Sequence, residues 1–250
     1  MAKPKVGIFG LTSCAGDQLV VVNLEDELLD VVGAIDLRSF IMAASNPVED
    51  EFDVALVEGS VVTAEDEERL REIRAKSKLL VAIGTCAVWG GIPGALNDLG
   101  RNTLYRIVYG TDEDLFKASV ARPLKAVVPV DFALPGCPIE KHQFLEALAS
   151  LLHGDLPIAH NTPVCLDCRF NENLCLLKAK GQLCLGPVTA GGCRARCPSH
   201  GLPCEGCHGP VEEANFASEV AILQEKGFSR ERVARAIRNF AHQADLARTS

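Results

Sequence analysis

Short apolar runs alternate with amphipathic segments along the first 156 residues, a pattern typical of alternating strands and helices. Strands are predicted over residues 6–11, 53–57, 78–83 and 126–130. Helices are predicted over 18–32 and 139–152, and a third begins at Thr63, three residues before Asp66, as in a capping box. A loop rich in Gly and Pro is predicted over 89–97. Apolar strands that alternate with helices favour an α/β fold with a parallel sheet covered on both faces, so we predict a flavodoxin-like architecture.

After the predicted sheet, the α/β alternation stops and the density of cysteines rises. We therefore predict two domains. Residues 1–157 form the flavodoxin-like domain, and residues 158–250 form a small domain that is partly irregular and partly helical. Two helices are predicted near the end of the chain, over 212–226 and 230–246.

Most cysteines fall in the second predicted domain, in a segment that Gly and Pro interrupt repeatedly. They are Cys165, Cys168, Cys175, Cys184, Cys193, Cys197, Cys204 and Cys207. A segment so poor in large apolar residues needs cross-links or metal to offset the entropy lost on ordering. No secretory signal precedes the first strand, so we expect a cytoplasmic chain with reduced thiols rather than disulfides. Structural zinc and iron–sulfur clusters remain as alternatives, because both take four thiolates per site.

The other three cysteines each follow a predicted strand. Cys14, Cys86 and Cys137 also have a glycine one or two residues away. Open α/β sheets bind ligands at the carboxyl ends of their strands, so three cysteines at this edge predict a shared site. A lone cysteine would more often be a small buried apolar residue. Asp17 is the candidate fourth ligand, with a role in complementing the helix dipole as its alternative.

Composition disfavours several classes of protein. The chain is 48% hydrophobic, yet no apolar run is long enough to span a bilayer, so no membrane partner is expected. A net charge of −8 argues against nucleic acid as a partner, since binding phosphates requires a basic excess. The sequence contains neither a GxGxxG motif nor a P-loop, and we expect no nucleotide or flavin on this chain.

Several motifs together are highly specific. They are TSCAGDQ at 12–18, EGS at 58–60, GTCAVWGG at 84–91, PGCP at 135–138 and CLGPVTAGGCRARCP at 184–198. With these motifs the chain resembles, over nearly its whole length, the small electron-transferring subunit of [NiFe] hydrogenases, of the cytoplasmic sulfhydrogenase and NAD(P)-linked type. The resemblance implies a subunit with no catalytic residues of its own. The NiFe centre would lie on a large partner subunit, and a diaphorase partner with FAD and iron–sulfur clusters would exchange hydride with NAD(P).

The resemblance also implies three [4Fe–4S] clusters and assigns their ligands. The proximal cluster takes Cys14, Cys86 and Cys137, with Asp17 where relatives commonly have a cysteine. Sequence order gives the distal cluster Cys165, Cys168, Cys175 and Cys184. It gives the medial cluster Cys193, Cys197, Cys204 and Cys207. The last two groups could interleave, because neighbouring thiolates can ligate different clusters.

Alternatives remain for the function and for some residues. Small subunits of hydrogenases linked to a deazaflavin or to heterodisulfide reduction are similar, and a zinc-stabilised interaction module is an alternative from another class. Glu58 is either a group for proton or water traffic or a solvated turn carboxylate. His200 and His208 either tune cluster potentials through hydrogen bonds or are exposed. Arg194 and Arg196 are expected to offset cluster charge.

Overall fold

A five-stranded parallel sheet organises the N-terminal part of the computed structural model, which describes residues 3–111, 113 and 116–242. The strands are β1 Lys5–Gly10, β2 Asp36–Phe40, β3 Phe52–Glu58, β4 Ser77–Ile83 and β5 Phe132–Leu134. Their spatial order is β2-β1-β3-β4-β5, and every neighbouring pair is parallel. This is the strand order of flavodoxin-like folds, so the predicted fold class is confirmed.

Helices cover the sheet and continue through the C-terminal part. They are α1 Gly16–Val22, α2 Asp26–Ala34, α3 Ala64–Lys76, α4 Gly84–Trp89, α5 Gly91–Ala95, α6 Arg101–Tyr109, α7 Lys141–Leu152, α8 Val164–Phe170, α9 Leu176–Lys180, α10 Arg196–Ser199, α11 Phe216–Glu225 and α12 Arg230–Arg238. Within the described ranges, none of them combines the length and the hydropathy needed to cross a membrane.

Both faces of the sheet are buried, as the apolar strands predict. On one face, Leu56 of β3 belongs to a core that includes Phe144 of α7. On the other face, Val57 belongs to a second core with Leu70 and Ile73 of α3. Successive side chains of a strand point to opposite faces, so each apolar strand supplies both cores.

The helix predicted over 18–32 is two helices. α1 ends at Val22 and α2 begins at Asp26, and between them Glu25 adopts a φ of 57°. The apolar residues keep the spacing that predicted one helix, although the helix is interrupted between Val22 and Asp26. Leu24 at the junction is completely buried, whereas α2 has no fully buried residue.

The last strand also differs from the prediction. The apolar run at 126–130 is not a strand, and its start belongs to a 3₁₀ turn over Leu124–Ala126. Pro129 within this run has no N–H to donate to a sheet. The strand is instead β5, a short edge strand that pairs with Val81, Ala82 and Ile83 of β4.

Three further elements were not predicted. β2 is an edge strand that contains Asp36 and Arg38. Charged residues are common on edge strands, and here they interrupt the apolar run by which the other strands were predicted. Much of the predicted loop over 89–97 is helical, because α4 includes Trp89 and α5 follows it. α6 was missed altogether.

The C-terminal part combines short helices with irregular backbone. α11 and α12 pack their inner faces on a small core that includes Leu185, Leu223 and Val233. They correspond to the helices predicted over 212–226 and 230–246, of which residues 243–246 lie outside the described residues. The segment between α7 and α8 contains neither helix nor strand. The division into domains at residue 157 stays a prediction.

Candidate metal centres

Three turns at one edge of the sheet hold the N-terminal cysteines. Cys14 follows β1, Cys86 lies in the first turn of α4 after β4, and Cys137 follows β5. Burial raises the pKa of Cys137 to about 11, and the negative charges of Asp17 and Cys14 contribute. Burial raises the pKa of Cys86 to about 12, with contributions from Cys137, Asp17 and Cys14. The structure thus brings together the four side chains that we call the proximal set: Cys14, Asp17, Cys86 and Cys137.

Asp17 lies in the first turn of α1 and is only 6% exposed. Its Oδ1 accepts a hydrogen bond from the backbone N of Ile139 at 2.7 Å. Burial raises the pKa of Asp17 to about 7, and the nearby Glu58 carboxylate contributes, whereas the hydrogen bond from Ile139 opposes the change. A buried carboxylate in these surroundings is stabilised most by a neighbouring cation.

Glu58, at the end of β3, fixes the start of α1. It is 1% exposed, so its interpretation as a solvated turn carboxylate is wrong. Its Oε1 accepts from Asp17 N at 3.3 Å, and its Oε2 accepts from Gln18 N at 3.2 Å and from Gln18 Nε2 at 2.9 Å. These bonds hold the turn that carries Cys14 and Asp17 against the sheet. A role in proton traffic stays a prediction.

A second anchor joins the same turn to α3. The predicted capping box is present: Thr63 Oγ1 accepts from Asp66 N at 3.0 Å, and Asp66 Oδ2 accepts from Thr63 N at 2.9 Å. The same Asp66 oxygen accepts from Thr12 Oγ1 at 2.8 Å. The first turn of α3 therefore helps to place the residues just before Cys14.

Glycines beside the proximal set leave no room for side chains. Gly84 has a φ of +81°, and a Cβ added there would lie 1.8 Å from Asp17 Oδ2. Gly91 has a φ of +52°, and a Cβ there would lie 2.6 Å from Cys86 Sγ. Both positions combine a left-handed backbone with close approach to a donor atom, which requires glycine.

Four cysteines of the C-terminal part surround one small cavity, and we call them the distal set: Cys165, Cys168, Cys175 and Cys184. Burial raises the pKa of Cys165 to about 12, with contributions from the other three thiols. Gly186 also lines the cavity, where an added Cβ would lie 3.2 Å from Cys165 Sγ. Cys175 is exposed, so this set reaches the surface of the chain.

The other four cysteines line a second, larger cavity of about 630 Å³, and we call them the medial set: Cys193, Cys197, Cys204 and Cys207. Burial raises the pKa of Cys207 to about 12, the charges of Cys193 and Cys197 contribute, and a backbone hydrogen bond from Cys137 opposes the change. Cys137 of the proximal set lines this cavity too.

Two further hydrogen-bonded contacts connect the three sets, beside the backbone hydrogen bond from Cys137 to Cys207. Thr85 Oγ1 donates to the carbonyl oxygen of Cys207 and accepts from Gly136 N at 3.0 Å, which joins the proximal turns to the medial set. Cys204 N donates to Cys184 Sγ at 3.3 Å, which joins the medial set to the distal set. The order in space is therefore proximal, medial, distal.

The donor chemistry of the three sets suits iron–sulfur clusters. Within residues 3–111, 113 and 116–242, no three His, Cys, Asp or Glu side chains converge on a position for one metal ion. Burial and mutual repulsion keep the pKa of several thiols high, and a metal centre reverses that preference by binding thiolates. Eleven thiols and one carboxyl in three groups of four match the ligand number of three four-iron clusters.

The histidines and arginines expected near the sets differ in how exposed they are. His200 is exposed, but His208 is 1% exposed, so its expected exposure is wrong. Arg194 is exposed, and Arg196 forms an ion pair with Glu140. Burial and Glu205 raise the pKa of Cys197, whereas Arg196 lowers it.

Sequence reasoning missed two polar residues close to the sets. Thr85 sits inside the GTCAVWGG motif, so its position beside Cys86 was the available signal. Glu219 is 2% exposed on the inner face of α11, and burial raises its pKa to about 7. No local pattern distinguishes Glu219 from Glu225, the exposed acid of the same helix.

Comparison with known proteins places the chain in a family. The family model described as "NADH ubiquinone oxidoreductase, 20 Kd subunit" matches residues 14–151. The delta subunit of sulfhydrogenase 2 from Pyrococcus furiosus is 43% identical, over 95% of this chain and 99% of its own length. A vhu subunit of the F420-non-reducing hydrogenase from Methanocaldococcus jannaschii is 34% identical, over 84% of this chain and 83% of its own length.

A solved structure supports the same assignment. A chain of an NAD⁺-reducing [NiFe]-hydrogenase in the H₂-reduced state is 27% identical, with a TM-score of 0.55, over 62% of this chain and 94% of that one. The chain belongs to the family of the 20 kDa subunit of NADH ubiquinone oxidoreductase and, within it, to the small subunits of [NiFe] hydrogenases.

Proposed function

We propose that this chain is the electron-relay subunit of a hydrogenase complex and that its three sets of donors each hold a [4Fe–4S] cluster. The observation that carries the proposal is the pair of contacts that connects the sets, Thr85 with Cys207 and Cys204 with Cys184. When bound, such clusters accept and pass on single electrons. The side chains of this protein bind them, set their order and limit the access of water.

The two ends of the relay differ in their ligands. Asp17 gives the proximal set a hard oxygen donor among soft thiolates, which lowers the covalency of one iron–ligand bond. The distal set is composed of thiolates alone and includes the exposed Cys175. Cys14 is exposed at the opposite end of the relay. We assign the Cys14 end to the large subunit with its NiFe centre, and the Cys175 end to the electron acceptor.

The acceptor defines two versions of the proposal. Similarity to the NAD⁺-reducing [NiFe]-hydrogenase favours a diaphorase partner with FAD and iron–sulfur clusters, which would exchange hydride with NAD(P). The name of the F420-non-reducing hydrogenase relative excludes reduction of the deazaflavin F420 in that protein, which leaves a complex linked to heterodisulfide reduction as the alternative version. In both versions the chemistry at H₂ belongs to the large subunit. The proteins that copurify with the chain distinguish the two.

The experiment is anaerobic purification of the complex from its host, followed by metal analysis and electron paramagnetic resonance (EPR) before and after exposure to H₂. We expect at least about twelve irons per copy of this chain, with the excess belonging to the NiFe centre and to the clusters of the partners, nickel in a copurified large subunit, and EPR signals that respond to H₂. Zinc in place of iron, in a colourless protein, would overturn the proposal and support the zinc-stabilised interaction module instead.

The assignment of ligands has its own test. Cys175→Ser should change the distal signal alone, since Cys175 lines the distal cavity. Cys193→Ser should change the medial signal alone, since Cys193 lines the medial cavity. A single substitution that alters both signals equally would contradict this partition.

A further inference from the structure

Large apolar side chains are exposed around the distal set. Phe170 is 78% exposed, and Leu174 and Leu202 are each 60% exposed. Leu174 directly precedes the exposed Cys175, and both line the distal cavity. Single exposed apolar residues are normal on a protein surface, whereas several that lie together mark an interaction site.

Hydrogen bonds bring these apolar residues to one surface. Asn173 Nδ2 donates to Ser199 Oγ at 3.0 Å, and Asn171 Nδ2 donates to the carbonyl oxygen of Arg194 at 2.9 Å. Both asparagines lie in the turn between the first two apolar residues, and the third follows shortly after Ser199, the last residue of α10. The bonds therefore hold the turn after α8 against α10. We call the resulting surface the distal face: Phe170, Leu174, Cys175 and Leu202.

The charge around the distal face is opposite to the charge of the chain. Residues 165–204 include five Lys or Arg and two Asp or Glu, whereas the whole chain has a net charge of −8. Arg169, Lys178, Lys180 and Arg194 are all exposed. Within the ranges that the structure describes, none of these four side chains forms an ion pair. The face thus has a rim of cations that are free to pair with carboxylates of another molecule.

An apolar centre with a charged rim is the usual composition of a protein–protein interface. A positive rim selects a negative partner surface and accelerates the encounter. We infer that the distal face docks an acidic surface of the protein that accepts electrons from this chain. The inference rests on the proposed function, because it assumes a cluster in the distal set, and it adds the chemistry of the partner.

Two other roles for the same residues are less well supported. The cations could serve only to offset the negative charge of a cluster, but that role does not require exposed apolar side chains beside them. Anionic lipid also binds basic surfaces with exposed Phe and Leu. The distal face, however, includes the proposed ligand Cys175, and a lipid surface would accept no electron from it.

Zero-length cross-linking of the wild-type holo-complex, purified anaerobically, tests the inference. A carbodiimide joins a lysine amine directly to a carboxyl group, so it links only residues that are close enough to form an ion pair. We expect Lys178 or Lys180 to be linked to Asp or Glu of the acceptor protein, as identified by mass spectrometry. Salt added before the reagent should reduce the yield of these links, because it screens exposed charges.

Charge reversal provides the second test. Lys180 and Lys76 are both exposed and are the last residues of α9 and α3, so Lys76→Glu is a matched control on the sheet. We expect Lys180→Glu to lower the NaCl concentration at which half of the acceptor dissociates from the complex, and to slow the H₂-driven reduction of the acceptor. Lys76→Glu should leave both quantities at their wild-type values.

Several results would overturn the inference. One is cross-linking of Lys178 and Lys180 to the large subunit alone, a result that does not depend on whether Lys180→Glu assembles. Another is equal retention of the acceptor in Lys180→Glu and Lys76→Glu, whether or not the distal potential shifts. Binding of the wild-type complex to vesicles of phosphatidylcholine and phosphatidylserine, lost in Lys180→Glu, would assign the face to a membrane instead. Absence of a distal EPR signal in the wild-type complex would overturn the proposed function itself.

Discussion

Asp17 differs from the other eleven proposed ligands in both its donor atom and its surroundings. Its buried carboxyl lies close to Glu58 and accepts one backbone hydrogen bond, and its pKa is raised to about 7. Ionising such a group without a cation nearby is costly, whereas an adjacent iron would stabilise the carboxylate. The alternative role of Asp17 as a partner of the α1 dipole would not require this degree of burial.

Replacing Asp17 tests its role directly. We expect Asp17→Ala to abolish or shift the proximal EPR signal, because one iron loses its protein ligand. Asp17→Cys should keep a signal with a changed midpoint potential, since thiolate bonds iron more covalently than a carboxylate does. Asp30→Ala is the matched control, as Asp30 is an exposed acid on the next helix. A proximal signal that is identical in Asp17→Ala and the wild type would exclude Asp17 as a ligand.

The sequence indicated the candidate ligands but not the hydrogen bonds around them. The spacing of the cysteines, the glycine-containing turns and the position of Asp17 could all be read from the sequence. The burial of Glu58 was not, because it depends on how the end of β3 meets the start of α1. Such a contact between residues 40 and 41 positions apart leaves no local pattern.

At the scale of elements, the proximal set was predictable because it depends on strand order rather than on exact strand bounds. The last strand was predicted several residues too early, at a run that includes Pro129, yet Cys137 still follows the strand that pairs with β4. The break between α1 and α2 likewise leaves Asp17 in the first turn of α1. An error in the predicted start or end of a strand does not change the edge of the sheet at which the parallel strands end. The prediction that the three cysteines lie at that edge is therefore unaffected.

The helix α11 brings a second buried acid close to the distal set. Glu219 contributes to raising the pKa of Cys165, and its Oε1 has no hydrogen-bond partner among the described residues. Burial alone raises the pKa of Glu219 from 4.5 to about 7. The group is therefore more easily protonated in the folded chain than in the unfolded one.

This difference predicts how stability depends on pH. Well below pH 4.5 Glu219 is neutral in both states. Above that value it ionises in the unfolded chain while it stays protonated in the folded one, which stabilises the unfolded chain. Its contribution to the free energy of unfolding is therefore full at low pH and is lost as the pH rises to about 7, by an amount on the order of 3 kcal/mol. We expect Glu219→Gln to have a higher melting temperature than the wild type at pH 8. Its melting temperature should also fall less between pH 5 and 8, as followed by calorimetry of the complex.

Glu225→Gln provides the comparison for this experiment, because Glu225 is exposed at the end of the same helix. It should follow the wild-type melting profile at every pH. If Glu219→Gln and Glu225→Gln behave alike, burial of Glu219 does not govern the pH dependence.

At the scale of the whole molecule, one hydroxyl group connects the sheet to the C-terminal part. Thr85 is 1% exposed and bonds to both Gly136 and Cys207. We expect Thr85→Val, which keeps the shape but removes the hydroxyl, to destabilise the complex by about 1–3 kcal/mol, since it leaves the buried N–H of Gly136 and the partly buried carbonyl of Cys207 unpaired. The melting temperature should fall, and the proximal and medial EPR signals should both change.

Thr85→Ser keeps the hydroxyl and should restore both the melting temperature and the signals. Equal behaviour of the Val and Ser variants would show that packing, rather than the hydrogen bonds, sets the position of the medial set.

The three sets differ in how far apart their members lie along the chain, and this has a consequence for biosynthesis. The distal and medial ligands each come from one short stretch, 165–184 and 193–207, whereas the proximal ligands extend from Cys14 to Cys137. Short loops close at a small entropic cost, so the members of each of these two sets can come together with little long-range folding. The proximal site exists only once β1, β4 and β5 have assembled side by side. Loading of that site would therefore require a folded sheet, and only correctly folded copies would present a loaded Cys14 edge for assembly.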